Sequence, residues 1–124
     1  MEIQLIIKGV PVHCTINEFG RVWNHRTNRE QKQVSSGPYK KVKVRNGKGS
    51  YLRDYIHRLV VEHFIGPSPE PDMLVNHKDG DTHNNHVNNL EWVTPGENIL
   101  HYLTQLRHLN RIVTNNRVRY ENPI

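Results

Sequence analysis

A chain of 124 residues fills one compact core and leaves no length for a second, so one domain over residues 1–124 is expected. A hydrophobic fraction of 35% is low, yet two Trp, five Tyr and clear apolar periodicity argue against a disordered chain and predict a thin core. Seventeen Lys and Arg against twelve Asp and Glu give a net charge of +5 that suits a polyanionic partner, while the single cysteine, Cys14, excludes an internal disulfide or a CxxC zinc knuckle and fits a reducing compartment.

The chain opens on MEIQLIIKGV, whose short apolar run is broken by Gln4 and Lys8 and follows no basic stretch. It reads as a strand, not as a secretory or membrane segment, and implies a soluble, cytoplasmic protein with no membrane partner. Further β-type runs follow at 12–16, 21–23 and 39–44, so residues 1–50 form a strand-rich antiparallel meander. In YKKVKV, Tyr39, Lys41 and Lys43 share one face and Lys40, Val42 and Val44 the other. Loops are expected at SSGP, 35–38, and NGKG, 46–49, the second a hairpin tip.

Over 54–64 the spacing of Ile56, Leu59, Val60 and Phe64 predicts an amphipathic helix with Asp54 as its cap. GPSPEP at 66–71 ends that helix, since each Pro removes a donor and disfavours helix before it. Leu74-Val75-Asn76-His77 then reads as a strand, followed by a turn through Asp79-Gly80, an Asn-rich loop and a returning strand, Leu90-Glu91-Trp92-Val93. Thr94-Pro95-Gly96-Glu97 is a capping box, and Ile99, Leu103, Leu106, Leu109 and Val113 carry the next helix to about residue 113. The fold class is α+β: N-terminal antiparallel strands, then a helix and a ββα unit over 54–106, then a helix end and basic tail over 107–124.

The ββα unit gathers chemistry. A strand end fixes Asn76 and His77 and a helix N-terminus fixes Asn98, so these side chains can converge with little loop entropy to overcome. The ordered series VNHKDGDTHNNHVNNLEWVTPGEN resembles the ββα-metal motif of HNH endonucleases, above all their phage and intron-encoded homing branch. IHRLVVEHFIG before it is similar to the helix preceding the motif in that branch. The likeness spans residues 1–101 and draws its specificity from 56–98.

The resemblance implies a DNA endonuclease that hydrolyses phosphodiester bonds with one divalent cation, Mg²⁺ ahead of Mn²⁺. His77 matches the catalytic general base, a role that suits imidazole because it titrates near neutrality. Asn89, twelve residues on, matches the central Asn, whose amide binds backbone and orients the catalytic His. Asn98 and Asn76 match the metal ligands. Many relatives carry Asp where Asn76 stands, and hard cations favour charged oxygen, so weak metal affinity without DNA is expected. Secondary candidates are His101, one turn beyond Asn98, and Asp79, although Asp-Gly is more often a tight turn. Asn84, Asn85, His83 and His86 read as loop residues, Trp92 as a core or hinge residue, and His57 and His63 as packing groups.

DNA would be held through its backbone by Arg21, Arg26, Lys41, Lys43, Arg45 and Lys48 in the strand region and Arg58 on the helix. Arg107, Arg111, Arg117 and Arg119 extend that footprint or mediate a homodimer. One such site cuts one strand, so a monomer nicks and a dimer makes double-strand breaks. The competing reading is a DNA-binding module that keeps the HNH fold without cleaving, for which the neutral Asn76 speaks.

Overall fold

Alternation of apolar residues builds the first hairpin. β1 (Glu2–Ile7) buries Leu5 and Ile7, and β2 (Val10–Asn17) buries Val12, Cys14 and Ile16, while the intervening residues face outward. These elements belong to a computed structural model that describes residues 1–46 and 49–114, with side chains through residue 104. β3 (Val22–Asn24) and β4 (Arg29–Glu30) complete an antiparallel sheet of order β1-β2-β3-β4. A second sheet holds β5 (Gln33–Ser36), β6 (Tyr39–Arg45) and β7 (Tyr51–Tyr55).

The expected single meander is therefore two sheets. Its break follows the two-residue β4, and a side chain spans it: Gln31 accepts from Asn24 Nδ2 at 2.9 Å and donates through Nε2 to the Lys43 carbonyl at 3.1 Å. SSGP is also reassigned, because Ser35 and Ser36 pair with Lys40 and Tyr39, leaving only Gly37 and Pro38 to turn. At the β2–β3 turn Gly20 has φ +83°, and a Cβ there would lie 2.8 Å from Ile56 Cγ2, so glycine lets the turn press against the helix that follows.

That helix, α1 (Ile56–Phe64), starts two residues later than the sequence predicts. Asp54 is not its cap. It sits on β7 opposite Val42, its Oδ1 accepts from the Tyr55 amide at 2.8 Å, and the extended Tyr55 precedes α1 without a side-chain cap. Pairing with β6 holds residues 51–55 extended and takes precedence over the capping preference of Asp54.

α1 buries Ile56, Leu59, Val60 and Val61 against both sheets and against the hairpin of β8 (Leu74–His77) and β9 (Leu90–Val93). One buried cluster joins Leu5, Ile16, Val42, Leu59 and Leu90, so the core sits between the sheets, α1 and that hairpin. Trp92 packs on this core and its Nε1 donates to the Gly66 carbonyl at 3.0 Å, clamping the Pro-rich connection. α2 (Pro95–Thr114) follows, with Ile99 exposed and Leu103 half-buried; the side chains of Leu106, Leu109 and Val113 lie outside the described residues. Among the described residues no helix is long and apolar enough to cross a membrane.

Candidate active site

β8 carries the adjacent residues Asn76 and His77, both about 95% buried. The His77 ring is gripped from one side, with Nε2 lying 2.8 Å from Asn85 Oδ1. An amide oxygen can only accept, so this contact places the ring proton on Nε2 and leaves the Nδ1 lone pair able to accept a proton.

Asn89 stands one step further back. Its Nδ2 donates to the Asn84 carbonyl and to Asp79 Oδ1, both at 2.9 Å, and its Oδ1 accepts from the Asp79 amide at 3.1 Å. It thereby closes the 79–84 loop and sets the place of the next residue, Asn85, which touches the ring. Asn85 is the contact residue that sequence reasoning assigned only to loop hydrogen bonding. No periodicity marks a partner eight residues away across a turn.

Asp79 also belongs to the loop. Its carboxylate accepts from Asn84 Nδ2, Asn89 Nδ2 and the Asp81 amide, and these bonds, that of Asn84 foremost, hold its carboxyl below the usual range. It does not line the cleft into which His77 opens, so its position does not favour the metal-ligand role. His86 likewise turns inward on its loop, accepting from the Asn88 amide at 3.0 Å with its ring against Phe19.

The cleft has a volume of about 530 Å³ and is walled by Asn76, His77, Asn98, His101, His57 and Arg58 among others. Asn76 Nδ2 donates to Glu91 Oε2 at 2.9 Å, which leaves its Oδ1 as the uncommitted oxygen. Asn98 rises from the first turn of α2, where the predicted capping box forms: the Thr94 amide donates to Glu97 Oε1 at 2.8 Å and the Glu97 amide to Thr94 Oγ1 at 3.1 Å. His101 lines the same cleft with Nε2 3.0 Å from the Lys78 carbonyl, so its ring braces α2 against the start of the loop that follows β8.

Among the described residues no group of three or more His, Cys, Asp or Glu could hold a metal ion. The available donors are the amide oxygens of Asn76 and Asn98. They are hard and neutral, and fit an Mg²⁺-type ion whose remaining charge is met by phosphate.

An aromatic wall backs His77. The His57 ring meets it edge-on, with centroids 5.3 Å apart at 65°, and also packs against Tyr39 at 4.9 Å and Tyr55 at 5.4 Å, two rings that are in contact with each other at 5.9 Å. Burial first, then the neighbouring His77 and Arg58, lower the His57 pKa to about 4. Packing was the role expected of His57, while Tyr39, read in the strand region, and Tyr55, read within the expected helix over 54–64 and found on β7, were not linked to the site.

The basic candidates divide. Lys41, Lys43 and Arg45 share one face of β6, opposite Tyr55, Arg53 and Tyr51 of β7. Lys43 Nζ lies 4.5 Å from the Tyr51 ring centre, and Arg45 Nη2 donates to the Tyr51 hydroxyl at 3.2 Å. Arg58 is half exposed at the cleft, 3.9 Å from Glu62, and Arg26 is exposed. Arg21 is engaged elsewhere, on both carboxylate oxygens of Glu30 at 3.1 and 2.8 Å. Lys48, Arg117 and Arg119, and the side chains of Arg107 and Arg111, lie outside the described residues.

A buried imidazole, two amide side chains and a capped helix on a ββα unit make up the arrangement that the HNH motif leads one to expect. Residues 54–100 match the family model described as HNH endonuclease, so this part of the chain carries that family's motif. It is 53% identical over 57 residues to the SPbeta prophage-derived YosQ of Bacillus subtilis (strain 168), covering 46% of this chain and 31% of that protein. To the DNA endonuclease I-HmuI of Bacillus phage SP01 it is 34% identical over 95 residues, 75% of this chain and 53% of the relative. The solved structure described as DNA binding and cleavage by the HNH homing endonuclease I-HmuI aligns with a TM-score of 0.69 and 27% identity, over 88% of this chain and 66% of that one. The chain spans between a quarter and about half the length of the curated relatives it matches.

Proposed function

We propose that this chain is a metal-dependent DNA endonuclease in which His77 takes a proton from the water that attacks the scissile phosphate. The observation that carries this reading is the shared cleft: His77, Asn76 and Asn98 open into one space. Nδ1 of His77 receives the proton, and Asn85 Oδ1, accepting from Nε2, stabilises the imidazolium that forms. The water oxygen bonds to phosphorus as the bond to the leaving oxygen breaks. Asn76 and Asn98 would hold one divalent cation, Mg²⁺ ahead of Mn²⁺, which stabilises charge on the phosphate and the leaving oxygen. Asn89 supports the reaction through the loop that carries Asn85.

In this reading the strand region over 1–50 contacts the DNA backbone, residues 54–106 form the catalytic core, and the basic tail over 107–124 extends the footprint or pairs two copies. A single copy nicks one strand and a dimer completes a double-strand break. The relatives named for DNA cleavage support the substrate class.

Conversion of supercoiled plasmid to the nicked form tests this. With Mg²⁺ or Mn²⁺ the chain is expected to nick; chelator should stop it, and His77→Ala should slow it by about 10²–10⁴-fold, the usual contribution of a general base. The second reading, a module that binds DNA without cutting, rests on the uncharged amide of Asn76. Plasmid binding without nicking under either cation would establish that reading instead.

A further inference from the structure

We propose that His57 is a second working imidazole of the cleft, a neutral donor whose Nε2–H binds the phosphoryl group under attack; this rests on the nuclease reading above. Its ring stands in the first turn of α1, lines the cleft and meets the His77 ring edge-on at 5.3 Å. Nδ1 of His57 is sealed from solvent without a hydrogen-bond partner, the one buried side-chain nitrogen or oxygen so placed among the described residues. A proton there would leave a buried N–H unmet, and orphaned N–H groups are rarer in proteins than under-satisfied acceptors. The neutral ring therefore carries its proton on Nε2, the polar group it can present to the cleft.

The two imidazoles are thus set in opposite senses. His77 has its N–H tied to Asn85 and offers a lone pair. His57 has its lone pair sealed and offers an N–H. A ring with no accessible lone pair can neither ligate a metal nor compete for the water's proton. It can donate to an acceptor-only group, and the non-bridging phosphate oxygens that gain charge during hydrolysis are such groups. Burial keeps the ring uncharged, and Arg58 on the next residue lines the same cleft with a full positive charge. Tyr39 and Tyr55, in contact with each other, both pack against the ring and with His77 limit its rotation, which fixes the direction in which Nε2–H is aimed.

Two substitutions and one spectrum test this. His57→Phe keeps a ring packed against the two tyrosines and removes the donor, whereas His57→Gln restores an amide N–H near the position of Nε2. In plasmid nicking with Mg²⁺, His57→Phe is expected to lower kcat by about 10²–10³-fold with KM for plasmid unchanged, and His57→Gln to recover part of that loss. Melting curves of both variants confirm that the fold persists. Imidazole ¹⁵N NMR on the full chain reads the second arm, whether or not the chain cuts. The proton should reside on Nε2, and that resonance should move when a short DNA duplex is added without metal. Wild-type kcat in His57→Phe, equal loss in a folded His57→Gln, a proton found on Nδ1, or a resonance indifferent to saturating duplex would each overturn the proposal. A wild-type chain that fails to nick counts against the nuclease reading, and the NMR arm then decides this one alone.

Discussion

The bond between His77 Nε2 and Asn85 Oδ1 makes a loop amide responsible for the tautomer of the proposed base. Removing that acceptor leaves the buried Nε2–H without its partner and lets the ring turn or exchange tautomers. Asn85→Ala is therefore expected to lower kcat by about 10–100-fold, the usual cost of losing an orienting partner, with KM for plasmid unchanged. An unaltered kcat in the nicking assay would show that the loop does not orient the ring. His77, Asn76 and Asn98 were legible as candidates because the series around them resembles the HNH motif, and their place at a strand end or a helix start was legible from apolar spacing and the capping box. Asn85, Tyr39 and Tyr55 were not. Their roles depend on contacts between elements distant in the chain, and nothing in the local pattern records which ring a loop amide will meet. Glu91 belongs with them: its bond to Asn76 Nδ2 arises from the register that sets residue 76 opposite residue 91.

α2 shows when an element boundary can be read and when it cannot. Its start was legible because a capping box satisfies its own hydrogen bonds within four residues, so the sequence alone contains every partner. The start of α1 was not, since Asp54 is equally suited to cap a helix or to end a strand, and pairing of β7 with β6 decided the matter from outside the segment. The cap has a functional consequence, because Asn98 lies in the turn that it holds and its amide donates to the Thr94 carbonyl at 2.9 Å. Thr94→Ala is expected to cost about 1 kcal/mol of stability, measured by urea denaturation. It should also raise the Mg²⁺ concentration needed for half-maximal nicking, because a frayed turn no longer presets the Asn98 amide. Thr94→Ser keeps the hydroxyl and should retain both properties. A Thr94→Ala chain that loses stability but titrates with Mg²⁺ like wild type would separate Asn98 from the metal.

At the scale of the molecule, the question is how a duplex reaches the cleft. Alternation along β6 buries Val42 and Val44 and turns Lys41, Lys43 and Arg45 outward, and the register adds Arg53 to that face from β7. The same face ends at Tyr39 and Tyr55, which line the cleft, so a backbone lying along the cations leads its phosphates toward His77. Net charge suited a polyanion but could not say where it would lie; in the proposed reading, the sheet register favours a path along β6. Arg21, equal to the others by charge, is removed from the track by its paired hydrogen bonds to Glu30. Phosphate contacts act through counterion release, so each one lost should reduce the slope of log affinity against log salt by about one. In duplex titrations without metal at several salt concentrations, Lys43→Ala is expected to weaken binding alike for unrelated sequences and to flatten that slope. Arg21→Ala should leave it nearly unchanged, since its charge is already offset by a carboxylate. Equal slopes for the two variants would mean that the face of β6 holds no special place in the footprint and that the excess positive charge acts only through its total.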